Sequence, residues 1–154
     1  MERVVVTGGT GFIGSWLVDE LISHDVEVVV LVRDLARARE KLQSDSRYIQ
    51  LVAYHSQQYE AMRAEQKAVD AFYHLAWEGV STELKNEGAL QLENIRFSME
   101  MLAFANEIGA RRFIATGTVA EYAFSENIMD INGRQTPNDM YGAAKTAVHY
   151  MLET

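Results

Sequence analysis

The chain has 154 residues, 48% hydrophobic and 23% charged, with one proline, an ordinary composition for one soluble globular domain. A net charge of −8 argues against nucleic acid or an anionic membrane surface as the main partner. The absence of cysteine excludes disulfides, thiolate chemistry and cysteine-based zinc sites, and no metal site is expected. No apolar run approaches membrane-spanning length and the chain opens on a strand, not a signal peptide, so no membrane partner and a cytoplasmic location are the expectations.

In chain order, Arg3 to Thr7 reads as a buried strand, and the glycines at 8, 9, 11 and 14 follow directly. They contain G-x-G-x-x-G (Gly9, Gly11, Gly14) and G-x-x-G-x-x-G (Gly8, Gly11, Gly14). Phe12 to Ser23 then carries the apolar spacing of a helix packed on a sheet. Strand, glycine turn and helix is the context that a dinucleotide fingerprint requires: bare main-chain N–H groups approach a pyrophosphate at the helix N-terminus. Glu27 to Val32 is almost wholly β-branched or leucine, as in a parallel strand covered on both faces. Asp34 caps a helix over LARAREKLQ. Tyr48 to Tyr54 is a third strand, Ser56 to Gln66 a short polar helix, and Val69 to Ala76 a fourth strand. Thr82 to Ile108 is a long helix with apolar residues at 92, 95, 99, 102 and 103, ended by Gly109. Arg112 to Thr116 is a fifth strand, Val119 to Asn138 a polar loop, and Met140 to Thr154 a final helix. Met99, Met101 and Met151 read as core filler.

Strands alternating with helices predict an α/β fold, a Rossmann-type doubly wound parallel sheet of order 3-2-1-4-5, in one domain over 1–154. A ligand belongs at the carboxyl ends of the strands, where the order reverses between strands 1 and 4. The second strand ends Leu31-Val32-Arg33-Asp34. A guanidinium suits the 2′-phosphate of NADP, so Arg33, with Arg37 one turn on, favours NADP over NAD. The alternative is a solvated Arg33 with Asp34 taking the ribose.

Tyr141 and Lys145 form Y-x-x-x-K, which places both on one helix face. A free phenol, pKa about 10, is a poor base at neutral pH; a nearby ammonium favours the phenolate and suits it to acid/base work on a carbonyl or alkoxide oxygen. Trp77, after the fourth strand, either stacks on a substrate ring or closes the core.

Five stretches together resemble the extended short-chain dehydrogenase/reductase family of nucleotide-sugar epimerases, dehydratases and reductases: VTGGTGFIGSWLVDEL, FYHLA (Phe72 to Ala76), Asn94 in the long helix, RRFIATGTVAEY (Arg111 to Tyr122) and TPNDMYGAAK (Thr136 to Lys145). The resemblance implies that Gly8, Gly11, Phe12, Ile13 and Gly14 meet the cofactor pyrophosphate, Arg33 the adenosine ribose or its phosphate, and Leu75 and Ala76 the length of the cofactor. Asn94 and Thr116 belong to the same cofactor set. Thr118 corresponds to the family's catalytic serine or threonine, Tyr141 to the acid/base, and Lys145 to the group that binds the nicotinamide ribose and tunes Tyr141. The chain departs from the family pattern at Thr116-Gly117, where Ser-Ser is usual, and at Tyr54-His55, where Gly-Asp is usual, so His55 is expected to be a surface or ring-packing residue. It also stops inside the helix that bears Tyr141, before the family's substrate-binding part.

The implied function is hydride transfer between NADP or NAD and a nucleotide sugar. Dehydratases of the family often show a Thr-Asp-Glu-type set after the fifth strand; Thr118-Val119-Ala120-Glu121 here favours reductase or epimerase. The alternatives are a cofactor-binding module without catalysis, either a redox-sensing relative or a truncated cofactor-binding half, or a subunit completed by another chain. In the family, helices such as those expected at 82–108 and 139–154 often form a homodimer face.

Overall fold

A computed structural model describes residues 2–42, 46–65, 67–122 and 135–153. Most of the expected loop 119–138 lies outside them, as do Gln43 and Gln66 at the expected helix ends and Thr154. The chain divides into two compact units: residues 1–76 with 101–115, and residues 77–100 with 116–154.

The first unit contains a five-stranded parallel sheet of order β3-β2-β1-β4-β5, as the sequence predicts. Its strands are β1 (Arg3–Thr7), β2 (Glu27–Val32), β3 (Ile49–Ala53), β4 (Ala71–His74) and β5 (Phe113–Ala115). β1 is buried along its whole length, and β2 along all but its first residue. That burial is why β-branched runs serve here: a central parallel strand has no solvent face. The helices α1 (Phe12–Ser23), α2 (Leu35–Lys41) and α3 (Gln57–Ala64) belong to this unit, and α4 (Gly88–Glu107) ends in it. Val4, Val6, Val28 and Val30 pack with Val18 and Leu21 of α1 in one apolar cluster. Separately, Tyr59 of α3, fully buried, stacks on Phe104 of α4 at 4.2 Å. His55 stands edge-on to Tyr59 at 5.7 Å, the ring packing expected of it.

Several boundaries tighten. β4 covers Ala71–His74 instead of 69–76, with Val69 contributing only an isolated bridge to Ala110. α4 begins at Gly88 instead of Thr82, because residues 81–86 form turns whose side chains are engaged elsewhere: Lys85 pairs with Asp139 and Asn86 accepts the Met140 N–H. The methionines separate as well. Met101 is buried, Met99 is half-buried, and Met151 is 47% exposed and so is not core filler.

The sheet order reverses at β1, which pairs with both β2 and β4. The ends of β1 and β4 are tied there by the buried Thr7: its Oγ1 lies 2.9 Å from His74 Nδ1 and accepts the Ala76 N–H at 3.3 Å. Gly8 follows with φ +72°, and a Cβ on it would lie 2.6 Å from the Ala76 nitrogen. Both the backbone angle and the contact exclude a side chain. Gly8→Ala should therefore cost roughly 2–5 kcal/mol, whereas Gly109→Ala, at φ +69° with nothing within 4 Å of its Cβ, should cost about 1 kcal/mol. Urea unfolding of the two variants checks the difference, and equal losses would contradict the close approach.

Candidate active site

In the first unit Gly8, Gly11, Phe12, Ile13 and Gly14 make up the glycine turn and helix start, and Leu75 and Ala76 lie against it. Gly11 N–H donates to Gly8 O at 2.9 Å, and Ser15 N–H to Gly11 O at 2.9 Å. Gly11 is the N-cap of α1 and no side chain caps it. The first amides of that helix therefore keep their capacity to bind an anion. A Cβ at Gly14 would fall 2.1 Å from Gly8 O, so the helix can start tight against the turn only as glycine. Phe12 and Ile13 are 85% and 62% exposed, placing two apolar side chains beside those amides. Leu75 and Ala76 lie against Gly8 through their main chain. A diphosphate fits such a cradle of bare peptide.

Arg33 stands exposed just past β2. The next residue is committed: Asp34 Oδ1 accepts the Ala36 and Arg37 N–H groups at 2.9 and 3.1 Å, capping α2. From α2, Lys41 Nζ reaches Thr10 O in the glycine turn at 3.4 Å.

The second unit brings the other predicted residues together. Thr118 N-caps a 3₁₀ turn, Val119–Glu121, and with Glu121 forms a capping box. Thr118 Oγ1 accepts the Ala120 N–H at 3.2 Å, and Glu121 Oε1 accepts the Thr118 N–H at 2.7 Å. The Thr118 hydroxyl thus has an oxygen lone pair engaged, and among the described residues its proton meets no acceptor. Onto this turn packs α5 (Met140–Glu153), which carries Tyr141 and Lys145. Asp139 fixes its start, accepting the Gly142 N–H at 2.7 Å and pairing with Lys85 at 3.1 Å. These contacts hold the Asp139 carboxyl below its usual pKa, the Gly142 amide being the larger cause. Gly142 is what permits the packing: a Cβ there would be 2.2 Å from Ala120 O.

Lys145 is buried. Its Nζ donates to Thr116 O at 2.9 Å and stands 4.0 Å from the centre of the Trp77 ring. Burial lowers its pKa to about 8, against the opposing attraction of Glu121. Trp77 meets the Tyr141 ring edge-on at 6.0 Å, and its Nε1–H donates to Gln91 Oε1 at 3.0 Å. Thr116 enters through its carbonyl. Asn94 gives its amide to the main chain of Glu78, accepting N–H at 3.0 Å and donating to O at 2.8 Å.

Three residues here escaped the sequence reading of roles. Glu121, 2% exposed, also takes the Gln135 Nε2–H and lies 3.1 Å from His149 Nδ1. The T-x-x-E spacing of a capping box was its signal. Gly142 was visible as the residue after Tyr141. Gln91, 1% exposed and donating to Gly79 O at 3.0 Å, had no local signal.

A Rossmann-type sheet with a bare glycine turn at its switch point, and a helix bearing Y-x-x-x-K in the second unit, define a dinucleotide-cofactor protein of the short-chain dehydrogenase/reductase class. The model of the NAD dependent epimerase/dehydratase family matches residues 4–154, and the chain belongs to that family. It is 33% identical over 126 residues to UDP-glucuronic acid decarboxylase 1 of Arabidopsis thaliana, covering 78% of this chain and 27% of the relative. It is similar in fold to the UDP-N-acetylglucosamine 4-epimerase of Methanobrevibacter ruminantium M1, with TM-score 0.82 and 23% identity over 99% of this chain and 49% of that one. It is also similar to a UDP-glucuronic acid 4-epimerase of Bacillus cereus solved with a fluorinated UDP-glucuronic acid and NAD, with TM-score 0.80, 20% identity, and 98% and 51% coverage. The chain thus spans about half the length of these proteins or less.

The Lys145 environment carries a stability signature. The unfolded chain holds the lysine proton up to its ordinary pKa of 10.5, the folded chain only to about 8. Between these limits the unfolded state binds more protons, so stability rises with pH. The gap, 10.5 − 8, corresponds to about 3 kcal/mol. Denaturant unfolding from about pH 7.5 to about pH 10.5 should show that rise in the parent chain relative to Lys145→Met; parallel curves would contradict the burial.

Proposed function

We propose that this chain is the cofactor-binding part of an NAD(P)-dependent enzyme that moves hydride to or from a nucleotide-linked sugar, with Thr118, Tyr141 and Lys145 as its reacting set. The observation that carries the reading is the seating of α5 on the Thr118 turn through Gly142, which ties the Y-x-x-x-K helix to the threonine hydroxyl within one unit. Family membership supports the nucleotide-sugar class.

Gly8, Gly11, Phe12, Ile13 and Gly14 hold the diphosphate with main-chain amides, and Leu75 and Ala76 flank it. Arg33 takes the adenosine ribose phosphate. Asp34 commits one oxygen to two α2 amides, which supports NADP over NAD at that strand end. Lys145 binds the nicotinamide ribose, with Thr116 fixing its ammonium and Asn94 ordering the neighbouring main chain. The bound nicotinamide supplies or accepts the hydride. Thr118 donates a hydrogen bond to the sugar oxygen and keeps its proton, and Tyr141 moves the one proton that accompanies the hydride. Glu121, buried and engaged by Thr118, Gln135 and His149, is not poised as the free base a dehydratase uses, which favours reductase or epimerase chemistry. Self-association through α4 and α5 is part of the reading, supported by Leu92, Tyr150 and Met151, which are 64%, 57% and 47% exposed.

Titration with NADPH and NADH, followed by cofactor fluorescence, tests the reading. Arg33→Ala should weaken NADPH binding about tenfold and leave NADH binding nearly unchanged; equal losses would remove the NADP preference. Tyr141→Phe should bind cofactor normally and lose about 100-fold or more of any nucleotide-sugar turnover. Binding without turnover on any nucleotide sugar would favour a cofactor-binding module without catalysis. Failure to bind either cofactor would overturn the assignment.

A further inference from the structure

Trp77 is the residue of the second unit that the proposed chemistry leaves without a task. It is far from idle in its contacts. Its ring face lies under the Lys145 ammonium at 4.0 Å, its ring meets Tyr141 edge-on at 6.0 Å, and its indole N–H is held by Gln91 at 3.0 Å. Gln91 is itself fixed, with its Nε2 on Gly79 O, and Asn94 holds both main-chain groups of Glu78. The segment 77–79 is therefore anchored at every residue, and the indole plane is a fixed surface.

We propose that Trp77 is a positioning residue: its anchored indole face holds the Lys145 ammonium charged and aimed, and its contact with Tyr141 sets the two reacting side chains as a unit. This rests on the reading of Tyr141 and Lys145 as the reacting pair. An ammonium has three N–H donors. One goes to Thr116 O and the π face of Trp77 occupies a second direction, which leaves a single donor for a ribose hydroxyl. A flexible lysine so restricted offers one geometry instead of many. The face of an indole attracts a cation more strongly as the cation is withdrawn from water, and Lys145 is a buried residue. Among the described residues, the charged and titratable groups on the elements next to it are Glu121 of the 3₁₀ turn, whose carboxylate favours the ammonium, Tyr141 and His149 one turn either side on α5, and Glu78 beside Trp77 in sequence.

The test is the titration of Lys145, followed by NMR of chains carrying ¹³Cε-lysine, with the Lys145 signal assigned by its loss in Lys145→Met. Removing the π face while keeping an apolar filler, Trp77→Leu, should lower the Lys145 midpoint by about one pH unit from its value near 8. Trp77→Phe keeps a π face and should restore at least half of that shift, although it loses the hydrogen bond to Gln91. An unchanged midpoint in Trp77→Leu, or equal shifts in both variants, overturns the proposal. If Trp77→Leu fails to fold, fluorescence decides. With Trp16→Phe, Trp77 is the remaining tryptophan of two, and its emission should change as Lys145 titrates and stay flat when Lys145→Met is added. Emission that ignores Lys145 overturns the proposal equally. A Tyr141→Phe chain that kept full turnover would remove the reaction assignment and leave these titrations standing, so the two failures are separable.

Discussion

Each unit of this protein depends on main chain lying directly against main chain, at a position where one atom more would separate them. In the first unit, Gly8 rests on the peptide of Leu75 and Ala76. In the second, Gly142 rests on the carbonyl of Ala120. A methyl group at either would fall well inside contact distance, so neither approach survives substitution without the backbone moving. The two approaches have different consequences. At Gly8 the approach leaves peptide N–H groups uncovered at the start of α1, and uncovered amides at a helix N-terminus are an anion site without any charged side chain. Such a site asks for no excess of basic residues, and the chain carries a net charge of −8. At Gly142 the approach sets a helix on a turn, so that side chains distant in sequence, Thr118 and Lys145, belong to one small assembly.

The second unit shows what such an assembly requires of its supports. α4 buries Gln91, Asn94 and Ser98 on one face, an unusual stripe for a helix that an apolar spacing had suggested. Every one is bonded: Gln91 to Trp77 and Gly79, Asn94 to Glu78, Ser98 to the Asn94 carbonyl. Buried amides cost little once paired and much if left alone. This face is therefore specific in a way that leucines are not, since only one placement of residues 77–79 satisfies all the amide groups. The apolar positions 92, 99, 102 and 103 are consequently left half-exposed or exposed, as is Ile95.

These buried amides also explain which parts of the fold could be read in the sequence. β1 and β2 have the expected bounds because a β-branched run between polar turns has no competing arrangement. The glycine turn was legible because its chemistry is local: strand, turn and helix are contiguous. The start of α4 was not legible, because Lys85 and Asn86 are held by Asp139 and Met140, each 54 residues away. Periodicity selected the wrong face of α4 for the same reason, since the buried amides of Gln91 and Asn94 find partners outside the helix, at Trp77, Glu78 and Gly79. Thr118 was singled out for its hydroxyl and Glu121 given no role, whereas the capping box joins them, the carboxylate holding the Thr118 amide. Gly117 has its explanation there too: a Cβ at that position would stand 3.1 Å from Glu121 Oε1, so a side chain at that point crowds the buried carboxylate.

That carboxylate also bears on why the chain tolerates Lys145. An ammonium withdrawn from water destabilises the fold, and replacement by an apolar side chain of similar length would relieve the loss. Stability alone gives no reason to keep it. The Thr116 carbonyl accepts from it at 2.9 Å, the centre of the Trp77 ring lies 4.0 Å away, and the Glu121 carboxylate opposes the loss of its proton. A carboxylate in direct contact would instead fix the proton and make the ammonium inert. Here a carbonyl and a π face adjoin the ammonium and the carboxylate acts from a distance, while burial lowers its pKa to about 8.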